Sequence, residues 1–230
     1  MSFQFKQFTI HQDKTAMKVG TDGVLLGAWA DVVGNSALDI GTGTGVVALM
    51  ITQRSDAKIT AIEIEENAFF QARENVSISK WSNRIEVINS SLQSYKPTIK
   101  FDTIVSNPPF FNNSQKTLDS KRNFARHTDS LSFEELLKFT SENLSIIGKA
   151  SFIIPFDSEK DFLEIAKNKN LSANRICRVK GTEASPVKRS LIELSFNETK
   201  CKESTLVIEI SRHVYTEDYI NLTKDFYLKM

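Results

Sequence analysis

Leu38-Asp39-Ile40-Gly41-Thr42-Gly43-Thr44-Gly45 carries an apolar run straight into a turn with glycine at every second position. Ser36 to Ile40 has the continuous hydrophobicity of a buried strand, and Val46 to Gln53 resumes beyond the turn with helical character. Alternating glycines between a strand and a helix let backbone approach a ligand closely, since no Cβ stands in the way and positive φ is permitted. The spacing differs from the G-x-G-x-x-G dinucleotide fingerprint, so a phosphate cradle on the helix is less well supported.

Reading downstream, Lys58 to Ile64 is a second strand, and Glu65 to Ser77 is a helix whose leading acids suit its positive end. Arg84 to Ile88 and Phe101 to Ser106 read as the third and fourth strands. This βαβ series predicts an α/β fold with a mostly parallel sheet covered by helices on both faces. Ser132-Phe133-Glu134-Glu135 has the form of a capping box, opening a helix with Phe133, Leu136, Leu137, Leu144 and Ile147 on one stripe. Ala150 to Ile154 gives a fifth strand and Ser158 to Lys167 a further helix. Arg175 to Lys180, Leu191 to Phe196 and Leu206 to Ile210 follow without helical pattern, which suits antiparallel strands finishing one C-terminal edge. Upstream, Phe3 to Ile10, a Gln12-Asp13-Lys14 turn and Thr15 to Val19 predict a hairpin, and Asp22 is expected to cap a helix through Trp29. Residues 1–230 are thus expected to form one domain, with 1–34 as a short N-terminal extension over the site.

Two further elements bear on chemistry. Glu63, near the end of the second strand, is placed to accept both hydroxyls of a ribose, so glycine turn and acid together read as an adenosine site. Asn107-Pro108-Pro109-Phe110 ends the fourth strand, and its prolines force the chain out of the sheet at the carboxyl edge, beside the glycine turn. There Asn107 offers a side-chain oxygen and Pro108 a backbone oxygen to one amino group, while Phe110 offers a flat face to a planar substrate.

These residues resemble the class I S-adenosylmethionine-dependent amino-methyltransferases, with their glycine-rich first loop, acid after the second strand and Asn/Asp/Ser-Pro-Pro-aromatic tetrapeptide. The resemblance implies a Rossmann-like sheet, S-adenosyl-L-methionine as cofactor, and Asn107, Pro108, Pro109 and Phe110 as the catalytic tetrapeptide. It further implies Asp39, Gly41, Gly43, Gly45 and Glu63 as cofactor-binding residues. Lys18-Val19-Gly20-Thr21-Asp22-Gly23-Val24-Leu25-Leu26-Gly27-Ala28-Trp29, Asn107 to Phe111 and the ending Lys224-Asp225-Phe226-Tyr227-Leu228-Lys229 are similar to the bacterial tRNA1(Val) adenine-37 N6-methyltransferases. This narrower likeness adds Lys18, Thr21 and Asp22 to the cofactor set and implies N6-methylation of an adenine in the anticodon loop of a valine tRNA. Many relatives carry an acid after the third strand to hold the cofactor adenine; here Ser90 and Ser91 precede Leu92, and Ser91 is the expected substitute. A glutamine side-chain amide, a DNA or other RNA amino group, or a silent adenosine-binding or RNA-binding module remain alternatives at this point.

Composition is ordinary for a globular protein. The 230 residues carry a net charge of +1, 40% hydrophobic residues and sixteen Phe, enough for a sizeable core and too little charge to bind polyanions indiscriminately. Basic residues nevertheless cluster, at Lys116, Lys121, Arg122 and Arg126, and again between Lys167 and Arg189. Arg122, Arg126, Arg175, Arg178 and Lys180 are therefore the expected phosphate contacts. His11, His127 and His213 are isolated imidazoles, and Cys177 and Cys201 lack ligand spacing, so no metal is expected. With no apolar leader or membrane-length run, a cytoplasmic monomer free of membrane is expected.

Overall fold

The computed structural model describes residues 2–109 and 131–230. A hairpin pairs β1 (Ser2–Gln4) with β2 (Thr9–His11). It turns at residues 5–8 rather than at Gln12-Asp13-Lys14, because Phe5 and Phe8 both enter the core there and stack with centroids 4.6 Å apart. Thr15 to Val19 consequently forms no strand. Helix α1 (Thr21–Trp29) is capped by Gly20, not Asp22, which sits in its first turn and pairs with Arg189 at 2.8 Å.

Next come β3 (Ser36–Ile40), α2 (Val46–Gln53), β4 (Lys58–Glu63), α3 (Glu66–Ser77), β5 (Ile85–Asn89) and β6 (Phe101–Ser106). After the undescribed stretch follow α4 (Phe133–Asn143), β7 (Leu144–Pro155), a 3-10 turn (Phe156–Ser158) and α5 (Glu159–Asn168). The chain ends with β8 (Ser172–Thr182), β9 (Val187–Ser195), β10 (Lys202–Ser211), β11 (Val214–Tyr215) and α6 (Glu217–Thr223). The large sheet runs β11-β10-β8-β9-β7-β6-β3-β4-β5.

Strands β3 to β7 are mutually parallel, whereas β9 lies antiparallel between β7 and β8, and β11 is antiparallel to β10. The C-terminal region is therefore antiparallel through β9 and β11, while β10 pairs with β8 in parallel. Successive side chains of a strand point to opposite faces. Phe152 and Ile154 accordingly join one apolar cluster, and Ile153 the other.

The capping box of α4 is complete, with Ser132 and Glu135 exchanging hydrogen bonds. Its apolar stripe is shorter than expected. The chain becomes extended at Leu144, which pairs with Phe101 and is buried in β7, while Ile147 is 72% exposed. The order of the strands reverses at β3: β4 and β5 lie to one side, β6 and β7 to the other. A crevice at the carboxyl ends of β3 and β6 is the expected ligand position in such a sheet.

Candidate active site

The glycine turn leaves β3 with φ of +70° at Gly41, +58° at Gly43 and +82° at Gly45. Side chains rarely adopt that conformation. Gly41 and Thr42 donate to the Ile62 carbonyl at 2.9 and 3.0 Å, fastening the turn to the end of β4. A Cβ on Gly41 or Gly43 would meet nothing within 4 Å, whereas one on Gly45 would reach the backbone of Ala72 in α3 at 3.6 Å. Gly45 thus serves helix packing, and Gly41 and Gly43 face open ground.

Glu63 closes β4 and is nearly buried. Its Oε2 accepts the Gly43 N–H at 2.8 Å and its Oε1 accepts the Glu65 N–H at 2.9 Å. Each oxygen retains acceptor capacity for a hydroxyl donor. Asp39, 1% exposed, accepts from Thr42 Oγ1 at 2.6 Å, and burial pushes its carboxyl up to about 7. Ser106 Oγ donates to the Ile40 carbonyl at 2.9 Å, drawing the end of β6 against the end of β3. Asn107 then stands beside the glycine turn.

Two cavities meet here. One, of about 290 Å³, has apolar walls from Ile40, Ile62, Ile64 and Leu92 and includes Glu63, Ser91 and Pro109. The other, of about 330 Å³, includes Lys18, Thr21, Asp22, Asp39 and Thr44. Met17, Gly41, Gly43 and Asn107 line both. Their sizes suit a ligand with an apolar planar end and a charged end, within the ~300–1,000 Å³ typical of small-molecule sites.

The expected cofactor residues other than Gly45 therefore converge. Lys18 arrives with its Nζ already donating to the carbonyls of Gln12 and Thr15. Of the tetrapeptide, Pro108 is buried and Pro109 exposed. Phe110 lies outside the described residues, as do Phe111, Lys116, Lys121, Arg122, Arg126 and His127. Thr15, Ala16 and Met17 also line the apolar cavity, and the sequence reading missed them; their predicted strand gave no sign of a cavity wall. Ile64, expected as the last residue of the second strand, and Leu92, which lies three residues beyond β5, are cavity walls that the sequence pattern did not indicate.

The three cations expected at the C-terminal basic cluster are each ion-paired within the fold. Arg175 pairs with Glu193 at 3.0 Å and lies 3.9 Å over the Trp29 ring. Arg178 reaches Glu159 at 2.6 Å and Glu203 at 2.7 Å, and these carboxylates hold its guanidinium more firmly protonated than usual. Lys180 pairs with Glu183 at 3.5 Å. The sequence shows one neighbouring acid, but β9, β10 and α5 bring up the others, so these cations are engaged within the fold rather than arrayed as an uncompensated phosphate track.

Comparison with known proteins agrees with the site. The family model for the Methyltransferase small domain matches residues 16–132. A tRNA1(Val) (adenine(37)-N6)-methyltransferase of Bacteroides fragilis is 51% identical across 99% of this chain and 98% of its own length. The protein of that name from Flavobacterium johnsoniae is 50% identical across 99% of this chain and 100% of its own. Among solved structures, a predicted O-methyltransferase from Agrobacterium tumefaciens has a TM-score of 0.70 at 17% identity, covering 89% of this chain and 96% of that one. The last likeness concerns the fold alone. With half of all positions identical over nearly the full length and the glycine turn, Glu63 and Asn107 gathered on one crevice, the chain belongs to the tRNA1(Val) (adenine(37)-N6)-methyltransferase family.

Proposed function

We propose that the chain transfers a methyl group from S-adenosylmethionine to N6 of adenine 37 in the anticodon loop of tRNA1(Val), and that residues 1–230 act as one methyltransferase domain. The observation that carries this is the pair of connected cavities sharing Gly41, Gly43 and Asn107. The residues fit the cofactor: bare glycines leave open ground, Glu63 is held for two hydroxyls, apolar walls suit an adenine, and polar groups around Asp39 suit an amino acid end. Glu63 would hold the ribose, Ile64, Ser91 and Leu92 the adenine, and Lys18, Thr21, Asp22 and Asp39 the methionine end. When bound, the cofactor supplies an electrophilic methyl group on a sulfonium.

Asn107 supplies a side-chain carbonyl and Pro108 a main-chain carbonyl as acceptors for the two hydrogens of the substrate amine. An amine attached to an aromatic ring is a weak nucleophile because its lone pair is delocalised. Two acceptors favour its pyramidal form and aim the lone pair, so these residues act by position and electrostatics. A loop adenine needs only unstacking to reach them, and Phe110 is the candidate to restore a stacking partner. The test is methyl incorporation from labelled S-adenosylmethionine into tRNA1(Val) transcripts carrying A37 or G37, with nucleoside mass spectrometry of the product. N6-methyladenosine from the A37 transcript alone is expected; equal incorporation into both would overturn the assignment.

A further inference from the structure

Residues 12–20 follow the hairpin without regular structure and contribute Thr15, Ala16 and Met17 to the apolar cavity. Two side chains of α3 hold this segment. Asn75 is fully buried; its Oδ1 accepts the His11 N–H at 2.8 Å, and its Nδ2 donates to the His11 carbonyl at 2.8 Å and the Thr44 carbonyl at 2.9 Å. One amide thereby joins the root of the segment to the glycine turn. One helical turn earlier on the same face, the fully buried Gln71 accepts the Lys14 N–H at 3.0 Å, and Lys14 Nζ pairs with Glu74 at 2.6 Å. Within the segment, Gln12 accepts the Val19 N–H at 2.8 Å. Neither Gln71 nor Asn75 lines either of the two cavities described above.

Packing alone would be served by an apolar side chain of similar volume, without the cost of burying an amide. These amides instead fix two directions, one toward the segment and one toward the turn that bears Gly41 and Gly43. We propose that Gln71 and Asn75 are positioning residues that set the separation between the 12–20 segment and the glycine turn, so that cofactor affinity depends on them. This rests on the methyltransferase reading above. Neither touches the amine or its acceptors, so the rate from the fully loaded enzyme is independent of them. Loosening either wall adds an ordering cost to cofactor binding.

The test is calorimetry with S-adenosylhomocysteine, steady-state kinetics and amide hydrogen exchange across residues 11–19, on the full chain and on Asn75→Ala and Gln71→Ala. Expected is a rise in Kd of about tenfold, the scale of one or two lost hydrogen bonds. At saturating cofactor kcat stays within about twofold of the parent. Exchange at His11 and Lys14 accelerates. A folded Gln71→Ala with parental Kd, or a loss confined to kcat, overturns the proposal. If Asn75→Ala does not fold, Gln71→Ala decides alone, since it frees the Lys14 N–H and a 3.4 Å bond from Gln71 Nε2 to Glu74 and leaves the glycine turn tied. A parent chain that binds no S-adenosylhomocysteine overturns the methyltransferase reading itself.

Discussion

Glu63 and Asn107 sit on the same crevice and are expected to fail differently. Glu63→Ala removes an acceptor held by Gly43 and Glu65, and charge-assisted hydrogen bonds of about 1.5–3 kcal/mol imply cofactor affinity weaker by about tenfold to a hundredfold. Calorimetry with S-adenosylhomocysteine reads this directly. Asn107→Ala keeps cofactor affinity and loses most single-turnover rate; a rate near that of the parent would remove Asn107 from the chemistry. Both residues were legible in the sequence because Glu63 ends an apolar strand and Asn107 directly follows one, at points where the chain must change direction. Asp39 was legible only as a neighbour of the glycines, since its titration depends on burial. With its carboxyl at about 7 against an ordinary 3.8, the folded state between about pH 4 and 7 holds a proton that the unfolded state has already released. Stability from this group is therefore full below about pH 4 and is lost as pH rises through 7. The unfolding free energy from urea titration should fall more between pH 5 and 8 for the parent than for Asp39→Asn, with a difference on the order of a few kcal/mol. Equal slopes in the two proteins would show that Asp39 carries no such proton.

Elements were readable where hydrophobic rhythm and termination signals agree. The first four strands of the large sheet were found to within a residue or so, because each is a short apolar run ended by Gly, Pro or a polar cluster. The start of α4 was found from the Ser132-Phe133-Glu134-Glu135 pattern, whose reciprocal bonds the structure contains, and Ser132→Ala should cost about 1 kcal/mol, read as a small fall in Tm. An unchanged Tm would mean that the helix start is fixed by packing instead. Its end was missed because Leu144 fits helical and strand periodicity equally well. Pairing with Phe101, a contact remote in sequence, decides for the strand. The same limit explains the N-terminus. A hairpin was visible, but the stacking of Phe5 on Phe8 that places its turn is tertiary. The role of β9 as an antiparallel insert between β7 and β8 is likewise a matter of sheet order, which local pattern does not encode.

At the scale of the whole molecule, charge that looks unbalanced along the chain is balanced in space. Arg178 is the clearest instance: Glu159, nearly buried at the start of α5, takes its guanidinium through both oxygens, and Glu203 comes from β10. Removing the cation leaves a nearly buried carboxylate without its counter-charge, a change that costs up to about 3 kcal/mol where the partner is well shielded. Arg178→Met should accordingly lower the denaturant midpoint. Because β8 spends its cations on Glu159, Glu193, Glu203 and Glu183, neutralising Arg175, Arg178 and Lys180 together should leave the salt dependence of tRNA binding nearly unchanged. A phosphate contact would behave otherwise, each one lost reducing the log–log slope by about 1. Filter binding across a salt series, on variants first shown to be folded, separates the two. A slope flatter by about 3 at undiminished stability would return these residues to the RNA interface and make their acids the groups displaced on binding.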